Sequence, residues 1–199
     1  MEKSEVSAMD EKAKQRLTAL TCRRVLSLKQ RIQASVAICR KLTELPELQQ
    51  AVTVLSYAAT WDEVDLSSVH DWLRQQEKRI AFPVTEGQGI MHAVEAKKNT
   101  PWRKGRYGIW EPMGQVHDPT SIDVVLVPCV AFDAKCHRLG HGGGYYDRYL
   151  PACPQAKYIA VAFEAQRMEE VNTDCHDQTM DLVVTEQAIY HKEEQHGSN

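Results

Sequence analysis

The sequence predicts an α/β fold in which a mainly parallel sheet is flanked by helices on both faces, as in a Rossmann-like three-layer sandwich. Two observations carry this prediction. A strand-like run, a helix-like run and a second strand-like run follow one another over residues 51–84, which is the order of a right-handed βαβ unit. Three more strand-like runs follow, and the first is almost continuously apolar, as expected for a strand covered on both faces; they span 122–132, 158–163 and 181–186.

The first part of the chain, residues 10–45, is helical in character. Apolar residues recur there at helical spacing and predict the buried face of a helix; they are Ile32, Val36, Cys39 and Leu42. The pattern is interrupted near Ser27, so two helices are expected, and Pro46 follows the end of the second.

The βαβ unit divides into recognisable elements. AVTVLSYAA (51–59) has the β-branched content of a buried strand, and RIAFPV (79–84) is the second strand. Between them, residues 65–78 form an amphipathic helix with Asp65 as its cap. The segment 85–120 is less regular, and the polar tail from about residue 190 to 199 is expected to be frayed. A single domain over residues 1–199 is predicted.

Composition excludes several classes of protein. The chain has 199 residues, 43% of them hydrophobic and 26% charged, which is ordinary for a soluble globular protein. Its net charge of −3 gives no reason to expect a nucleic-acid or membrane partner. No apolar run could cross a bilayer and the first residues are charged, so the cytoplasm is the expected compartment. The six cysteines form no CxxC pair and are expected to be reduced thiols.

The stretch RLGHGGGYYDRYL (138–150) is the strongest local signal. It follows an apolar strand and precedes a short helical run, the place where ligands bind in open α/β sheets. Glycines there let backbone amides approach a phosphate, Arg138 adds a positive charge, and Asp147 could hold a bridging cation. Spacing alone also allows a plain strand-to-helix turn in which Tyr145, Tyr146 and Tyr149 are core residues. A metal site at Cys136, His137 and His141 is the less favoured alternative.

The longer run PCVAFDAKCHRLGHGGGYYDRYL (128–150) resembles the signature of the 5-formyltetrahydrofolate cyclo-ligase family, also called 5,10-methenyltetrahydrofolate synthetase. The resemblance covers essentially the whole chain, because further segments fit the family's pattern; these are KAKQR (12–16) with Arg23, Arg24 and Ser27, SYAATWDEVD (56–65), YGIWEP (107–112), AVAFEAQ (160–166) and CHDQTMDLVVTE (175–186). The sequence departs from some members at His141 and Gly143, where they carry a basic residue.

The resemblance implies an ATP- and Mg²⁺-dependent ligase that cyclises 5-formyltetrahydrofolate to 5,10-methenyltetrahydrofolate and releases ADP and phosphate. The formyl oxygen would be phosphorylated and N10 would then attack the formyl carbon, a reaction that depends on positioning and charge. Lys12 and Arg16, one helical turn apart, would face the triphosphate, although a solvated helix face is the alternative for this pair. The remaining nucleotide-binding residues would be Arg138, Leu139, Gly140, His141, Gly142, Gly143, Gly144, Tyr145 and Asp147, with Asp147 also holding Mg²⁺.

On the folate side, the resemblance assigns Glu63 to hydrogen bonds with the pterin and Tyr146 to a position beside the formyl group. Arg138 and Tyr146 are therefore the expected catalytic residues. Tyr57, Tyr107 and Trp110 would complete the substrate site, although ordinary packing explains Tyr107 and Trp110 equally well. The expected partner is 5-formyltetrahydrofolate with or without a polyglutamate tail, and the expected state is a monomer, with a weak dimer as the alternative.

Two rival functions remain at this point. A relative that binds nucleotide or folate without catalysis would keep the fold, and turnover would separate it from an enzyme. A sugar-phosphate isomerase or an acyl-CoA transferase on a similar sheet would need a general base or a nucleophilic carboxylate, for which Glu63, Glu111 and Glu164 are candidates. Neither of those two enzyme classes explains the run of Arg, Gly, Tyr, Tyr and Asp.

Overall fold

A computed structural model describes residues 2–193 of the chain. Its α-helices are α1 (Glu2–Val25), α2 (Leu28–Glu44), α3 (Pro46–Gln50), α4 (Ser67–Gln75) and α5 (Tyr145–Tyr149). Its strands are β1 (Thr53–Leu55), β2 (Arg79–Gly87), β3 (Ile90–Glu95), β4 (Trp102–Lys104), β5 (Trp110–Pro112), β6 (Val124–Pro128), β7 (Ala131–Phe132), β8 (Arg138–Leu139), β9 (Lys157–Val161), β10 (Leu182–Val184) and β11 (Ile189–His191).

The main sheet has the strand order β11-β10-β9-β6-β1-β2-β3. Its five inner strands are parallel, and the parallel register of Val54 with Ile80 confirms the predicted βαβ unit. The two edge strands are antiparallel to their neighbours, because β3 returns from β2 and β11 returns from β10 through short connections. The edge strand β11 includes residues 190 and 191, where the frayed tail was predicted to begin, and residues 194–199 of that tail lie outside the described residues.

Helices cover both faces of this sheet, which confirms the predicted fold class. Successive residues of β6 show how the two faces separate: Leu126 packs under α2 and α4, whereas Val125 and Val127 face the opposite side. Tyr145, Tyr146 and Tyr149 of α5 pack against that second side. Within residues 2–193, no helix combines the length and apolarity that a membrane span requires.

The predicted interruption near Ser27 is confirmed and has a local cause. Ser27 caps α2: its Oγ accepts from the Gln30 amide at 3.3 Å, while the Gln30 side chain accepts from the Ser27 amide at 2.9 Å. This reciprocal pair satisfies amides that would otherwise lack partners at the start of the helix. The chain therefore ends α1 and begins α2 within three residues.

The predicted buried face of α2 is partly wrong. Ile32 and Val36 are 55% and 64% exposed, whereas Ala34, Ile38 and Leu42 are buried. The stripe therefore lies on the side centred on Ile38, because α2 packs against α4 and the sheet along that side. The middle segment 85–120 also holds more structure than expected, since β3 extends the sheet and β4 pairs with β5 in a separate hairpin.

Candidate nucleotide and folate site

The glycine-rich segment is a loop between the β7–β8 hairpin and α5. Gly142 has φ of +95° and Gly144 has φ of +63°, backbone conformations that only glycine adopts readily. Gly144 directly precedes α5, which spans just five residues before a 3₁₀ turn. Such a short helix adds little dipole, so side chains must supply most of the positive charge that a phosphate would need.

Arg138 is the first of those side chains and lies beneath the loop. It is buried, its Nη2 donates to Asp147 Oδ1 at 2.8 Å, and its guanidinium lies 5.8 Å from the centre of the Tyr146 ring. Its Nε has no hydrogen-bond partner within the described chain. A buried cation with an unused donor is suited to an anionic ligand, because burial without a partner is costly. Leu139, the next residue, is buried against Ala19 of α1 and so fixes the loop to that helix.

Arg16 and Lys12 reach the same region from α1 but make different contacts. Arg16 Nε donates to Gly140 O at 2.9 Å, so the helix contacts the glycine loop directly. The alternative of a solvated helix face is wrong for Lys12, which is buried, and its Nζ lies 2.6 Å from Asp174 and 2.5 Å from Asp177. Burial acts to lower the pKa of Lys12, but the two carboxylates outweigh it and the pKa is raised.

A cavity of about 140 Å³ lies between these elements. Its walls include Arg138, Asp174, Asp177 and Gln178, so it joins the base of the glycine loop to the segment that holds Lys12. Asp147 borders the same region, because its Oδ1 also accepts from the Gln178 amide at 3.2 Å. Charges of both signs therefore surround one small space.

The sequence predicts that Asp147 holds Mg²⁺, and its surroundings provide only this one carboxylate as a protein ligand for the metal. One carboxylate oxygen is engaged by Arg138 and Gln178, and the side chain is 22% exposed. Residues 2–193 hold no group of three or more His, Cys, Asp or Glu side chains arranged around a metal. Mg²⁺ is commonly held by one or two carboxylates together with phosphate oxygens and water, so the donor set fits only a metal that arrives with a nucleotide.

Glu63 lies at the same edge of the sheet as the glycine loop. β1 and β6 are parallel neighbours, so the loops that follow them emerge side by side. Glu63 Oε2 accepts from the Thr60 amide at 2.9 Å, and its Oε1 lies 3.6 Å from His141 Nε2. Burial acts to raise the pKa of Glu63, but these contacts and the charge of Arg23 outweigh it and lower the pKa. Glu63 is therefore a carboxylate within reach of the glycine loop.

The aromatic candidates fall into a buried and an exposed group. The Tyr146 hydroxyl is buried with no hydrogen-bond partner in the part of the chain described, and burial raises its pKa. Tyr57 is also buried, and its hydroxyl donates to Val64 O at 3.1 Å, which shapes the loop that carries Glu63. Tyr107 and Trp110 are 60% and 54% exposed, and the Tyr107 hydroxyl lies 2.8 Å from the Tyr145 hydroxyl.

Two of the three carboxylates that a rival enzyme could use, and the alternative metal site, lose their geometric support. Glu111 accepts from the amide and hydroxyl of Thr85, and Glu164 accepts from Tyr190, so both carboxylates are engaged within the fold. Cys136, His137 and His141 do not converge: His137 Nδ1 lies 3.0 Å from Asp133, His141 faces Glu63, and the Cys136 thiol is buried. A shared metal at these three residues is therefore wrong.

Sequence reasoning missed several polar residues around the loop. Asp174 and Asp177 hold Lys12, and Arg148 donates to the carbonyls of both Gly143 and Gly89, which ties the β2–β3 turn to the glycine loop. The CHDQTMD segment was recognised as part of the family pattern, but nothing in a linear sequence pairs it with a lysine 162 positions earlier.

Comparisons with known proteins agree on one family. The model of the 5-formyltetrahydrofolate cyclo-ligase family matches residues 8–186. A 5-formyltetrahydrofolate cyclo-ligase of Haemophilus influenzae is 30% identical over 156 residues, which cover 75% of this chain and 83% of that protein. The one from Escherichia coli K12 is 28% identical over 175 residues, which cover 84% and 96%.

Solved structures show the same fold. The 5,10-methenyltetrahydrofolate synthetase of Aquifex aeolicus superposes with a TM-score of 0.81 at 30% identity, covering 94% of this chain and 99% of that one. The 5,10-methenyltetrahydrofolate synthetase of Mycoplasma pneumoniae superposes with a TM-score of 0.74 at 24% identity, covering 88% and 98%.

Proposed function

The chain belongs to the 5-formyltetrahydrofolate cyclo-ligase family, and from this premise we propose that it converts 5-formyltetrahydrofolate to 5,10-methenyltetrahydrofolate with ATP and Mg²⁺. The observation that carries the proposal is the contact between the two loops. Glu63, the folate candidate, lies 3.6 Å from His141 in the middle of the glycine loop. A folate bound at the carboxylate and a phosphate bound at the loop would therefore be neighbours.

The reaction needs the folate and the phosphate to lie side by side, because the formyl oxygen is a poor leaving group until it is phosphorylated. In the proposed reaction the γ-phosphoryl group of ATP is transferred to the formyl oxygen, and ADP leaves. N10 then attacks the formyl carbon and loses its proton, and the C–O bond breaks to release inorganic phosphate. Phosphoryl transfer of this kind asks the protein mainly for alignment and for positive charge around the transferring group.

The basic residues of the site would supply that charge. Arg16 contacts the loop at Gly140 O, and Arg138 has an unused buried Nε, so both would donate to phosphate oxygens beside the amides of residues 140–144. Lys12 and Arg138 are paired with carboxylates. Lys12 has three donors and can keep an aspartate while it binds a phosphate. Removal of these cations would weaken nucleotide use.

Asp147 would hold Mg²⁺ together with phosphate oxygens and water, and Asp174 and Asp177 line the cavity beside it. When bound, the metal neutralises charge on the transferring phosphoryl group. The role of the protein is to orient Asp147, which Arg138 and the Gln178 amide do through its Oδ1.

On the folate side, the deprotonated Glu63 would accept hydrogen bonds from the pterin, whose ring edge presents donors. Tyr146 would donate its unpartnered hydroxyl to the formyl group, because that donor is buried and has no acceptor in the protein. Tyr107 and Trp110 have the exposed ring area to cover the pterin or the aminobenzoyl ring. Tyr57 would act through the shape of the Glu63 loop.

Residues 1–199 would form one catalytic domain that acts as a monomer. Folate with or without a polyglutamate tail is the substrate, and no nucleic acid or membrane takes part. All six cysteines are free thiols, which agrees with a reducing compartment, and we place the enzyme in the cytoplasm.

The test follows the absorbance of 5,10-methenyltetrahydrofolate while ATP and Mg²⁺ are omitted singly and together. We expect product only when both are present, and we expect one phosphate released per folate converted. Full turnover without nucleotide would refute the mechanism. Binding of both substrates without product would instead identify the inactive relative that the sequence left open.

A further inference from the structure

Arg23 is a buried cation on α1 whose side chain contacts the loop that carries Glu63. Its Nη2 donates to Asp62 Oδ2 at 2.9 Å, and the two side chains are 3% and 6% exposed. Taking both charges out of water costs free energy that the attraction between them only partly returns, so a pair this buried is weak evidence for stability. A role in fixing a particular geometry explains its position better.

The contacts continue from Asp62 to Glu63. Asp62 Oδ1 accepts from the Thr60 hydroxyl at 3.1 Å, and the Thr60 amide donates to Glu63 Oε2 at 2.9 Å. The Glu63 amide in turn donates to Thr60 O at 3.2 Å. Arg23 therefore fixes the Asp62 carboxylate, which accepts from the Thr60 hydroxyl. The Thr60 amide in turn donates to one oxygen of Glu63.

The same helix also contacts the glycine loop, through Arg16, earlier in the chain. Arg16 donates to Gly140 O, and His141, the next loop residue, lies 3.6 Å from the other oxygen of Glu63. Helix α1, the glycine loop and the 60–63 turn thus form a closed ring of polar contacts. Arg23 contacts the 60–63 turn and Arg16 contacts the glycine loop, so the two loops are attached to α1 through separate arginines.

We propose that Arg23 is a positioning residue for the folate: through Asp62 and Thr60 it fixes the Glu63 carboxylate relative to the glycine loop. This inference rests on the proposed function for the identity of the ligand, but the placement of Glu63 can be tested without it. Its consequence is specific, because loss of the pair should weaken folate use while leaving the nucleotide contacts of Arg16 and Arg138 in place. Misalignment on the scale of an ångström can lower a rate by about a hundredfold.

The variant to build is Arg23→Met combined with Asp62→Asn. It removes both charges together, so no unpaired ion is left buried, and the asparagine keeps an oxygen for the Thr60 hydroxyl. We expect the KM for 5-formyltetrahydrofolate to rise by about tenfold, the effect of losing a well-placed charged hydrogen bond, while the KM for ATP stays unchanged. Hydrogen exchange of the Thr60 amide should be faster in the ligand-free variant.

Arg24→Met is the matched control, because Arg24 is the neighbouring arginine on the same helix and is exposed. It should leave both KM values and the Thr60 exchange rate as in the wild type. Arg23→Lys, which keeps a positive charge near Asp62, should recover part of the lost folate affinity.

A folded double variant with wild-type folate KM and wild-type Thr60 exchange would overturn the inference. Equal losses in the KM for folate and for ATP would also overturn it, since that result marks a general structural role. If the double variant does not fold, Thr60→Val, which keeps the Arg23–Asp62 pair and removes only the hydroxyl contact to Asp62, is measured in the same way and the same outcomes decide. If the wild-type protein converts no folate, the proposed function fails, whereas exchange at Thr60 still shows whether Arg23 fixes the segment.

Discussion

Replacement of Lys12 by methionine should destabilise the protein as well as weaken its use of ATP. Methionine keeps most of the apolar stem but leaves Asp174 and Asp177 facing each other without a cation. Asp174 is 56% exposed, so its contact contributes little, whereas Asp177 is 22% exposed and its hydrogen bond to a charged group is worth more. The two together should cost about 2 kcal/mol.

For a domain of this size, a loss of that magnitude lowers Tm by about 4–8 °C, which thermal unfolding followed by circular dichroism would detect. Lys14→Met is the control, because Lys14 makes an exposed i,i+3 pair with Glu11 in the same helix. It should leave Tm almost unchanged. The raised pKa of Lys12 makes this stabilisation depend on pH. The ion pairs of Lys12 stabilise the fold fully below its ordinary pKa of 10.5, and this contribution is lost as the pH rises beyond that value. A Lys12→Met protein that melts with the wild type at pH 7 would refute the reasoning.

The remaining predictions concern the loops. Gly142→Ala should lower both Tm and ATP affinity because its φ is +95°, whereas Gly140→Ala, which needs no left-handed backbone, should cost less stability; calorimetry and nucleotide titration on both variants would compare them. Asp147→Asn keeps the side-chain size but removes the charge, so we expect a higher Mg²⁺ concentration at half-maximal rate, and an unchanged requirement would contradict the assignment. The lowered pKa of Glu63 means that its carboxylate stabilises the fold above its ordinary value of 4.5 and stops doing so as the pH falls through the lowered one. Glu63→Gln should therefore melt below the wild type at pH 7, and the difference should shrink as the pH falls below 4.5.

Sequence reasoning succeeded where a property depends on neighbours along the chain. Ser27 and Gln30 are three residues apart, and their reciprocal hydrogen bonds end one helix and begin the next wherever the rest of the protein lies. The βαβ unit follows from alternating apolar runs and from the fixed handedness of its connection. The glycine loop belongs to the same class, since a positive φ at Gly142 and Gly144 restricts those positions to glycine in the sequence itself.

Predictions from the sequence were wrong where the burial of a residue depends on segments that are distant in the sequence. Ile32 and Val36 have the spacing of a buried face, yet which face of α2 is covered depends on the direction from which α4 and the sheet approach. Lys12 lies in a charged stretch that is typical of a solvated helix face. In the structure its ammonium group instead pairs with two aspartates 162 and 165 positions later.

The sequence by itself determined the family, the fold class and the position of the glycine loop, because each follows from a local pattern of residue types. Only the tertiary structure decided which charges meet. Arg23 of α1 pairs with Asp62, which follows β1, and Glu63 meets His141 because strands β1 and β6 lie side by side in the sheet. Electrostatic interactions act over a few ångströms of space, and the distance between two side chains in space is set by the packing of the sheet and not by their separation in sequence.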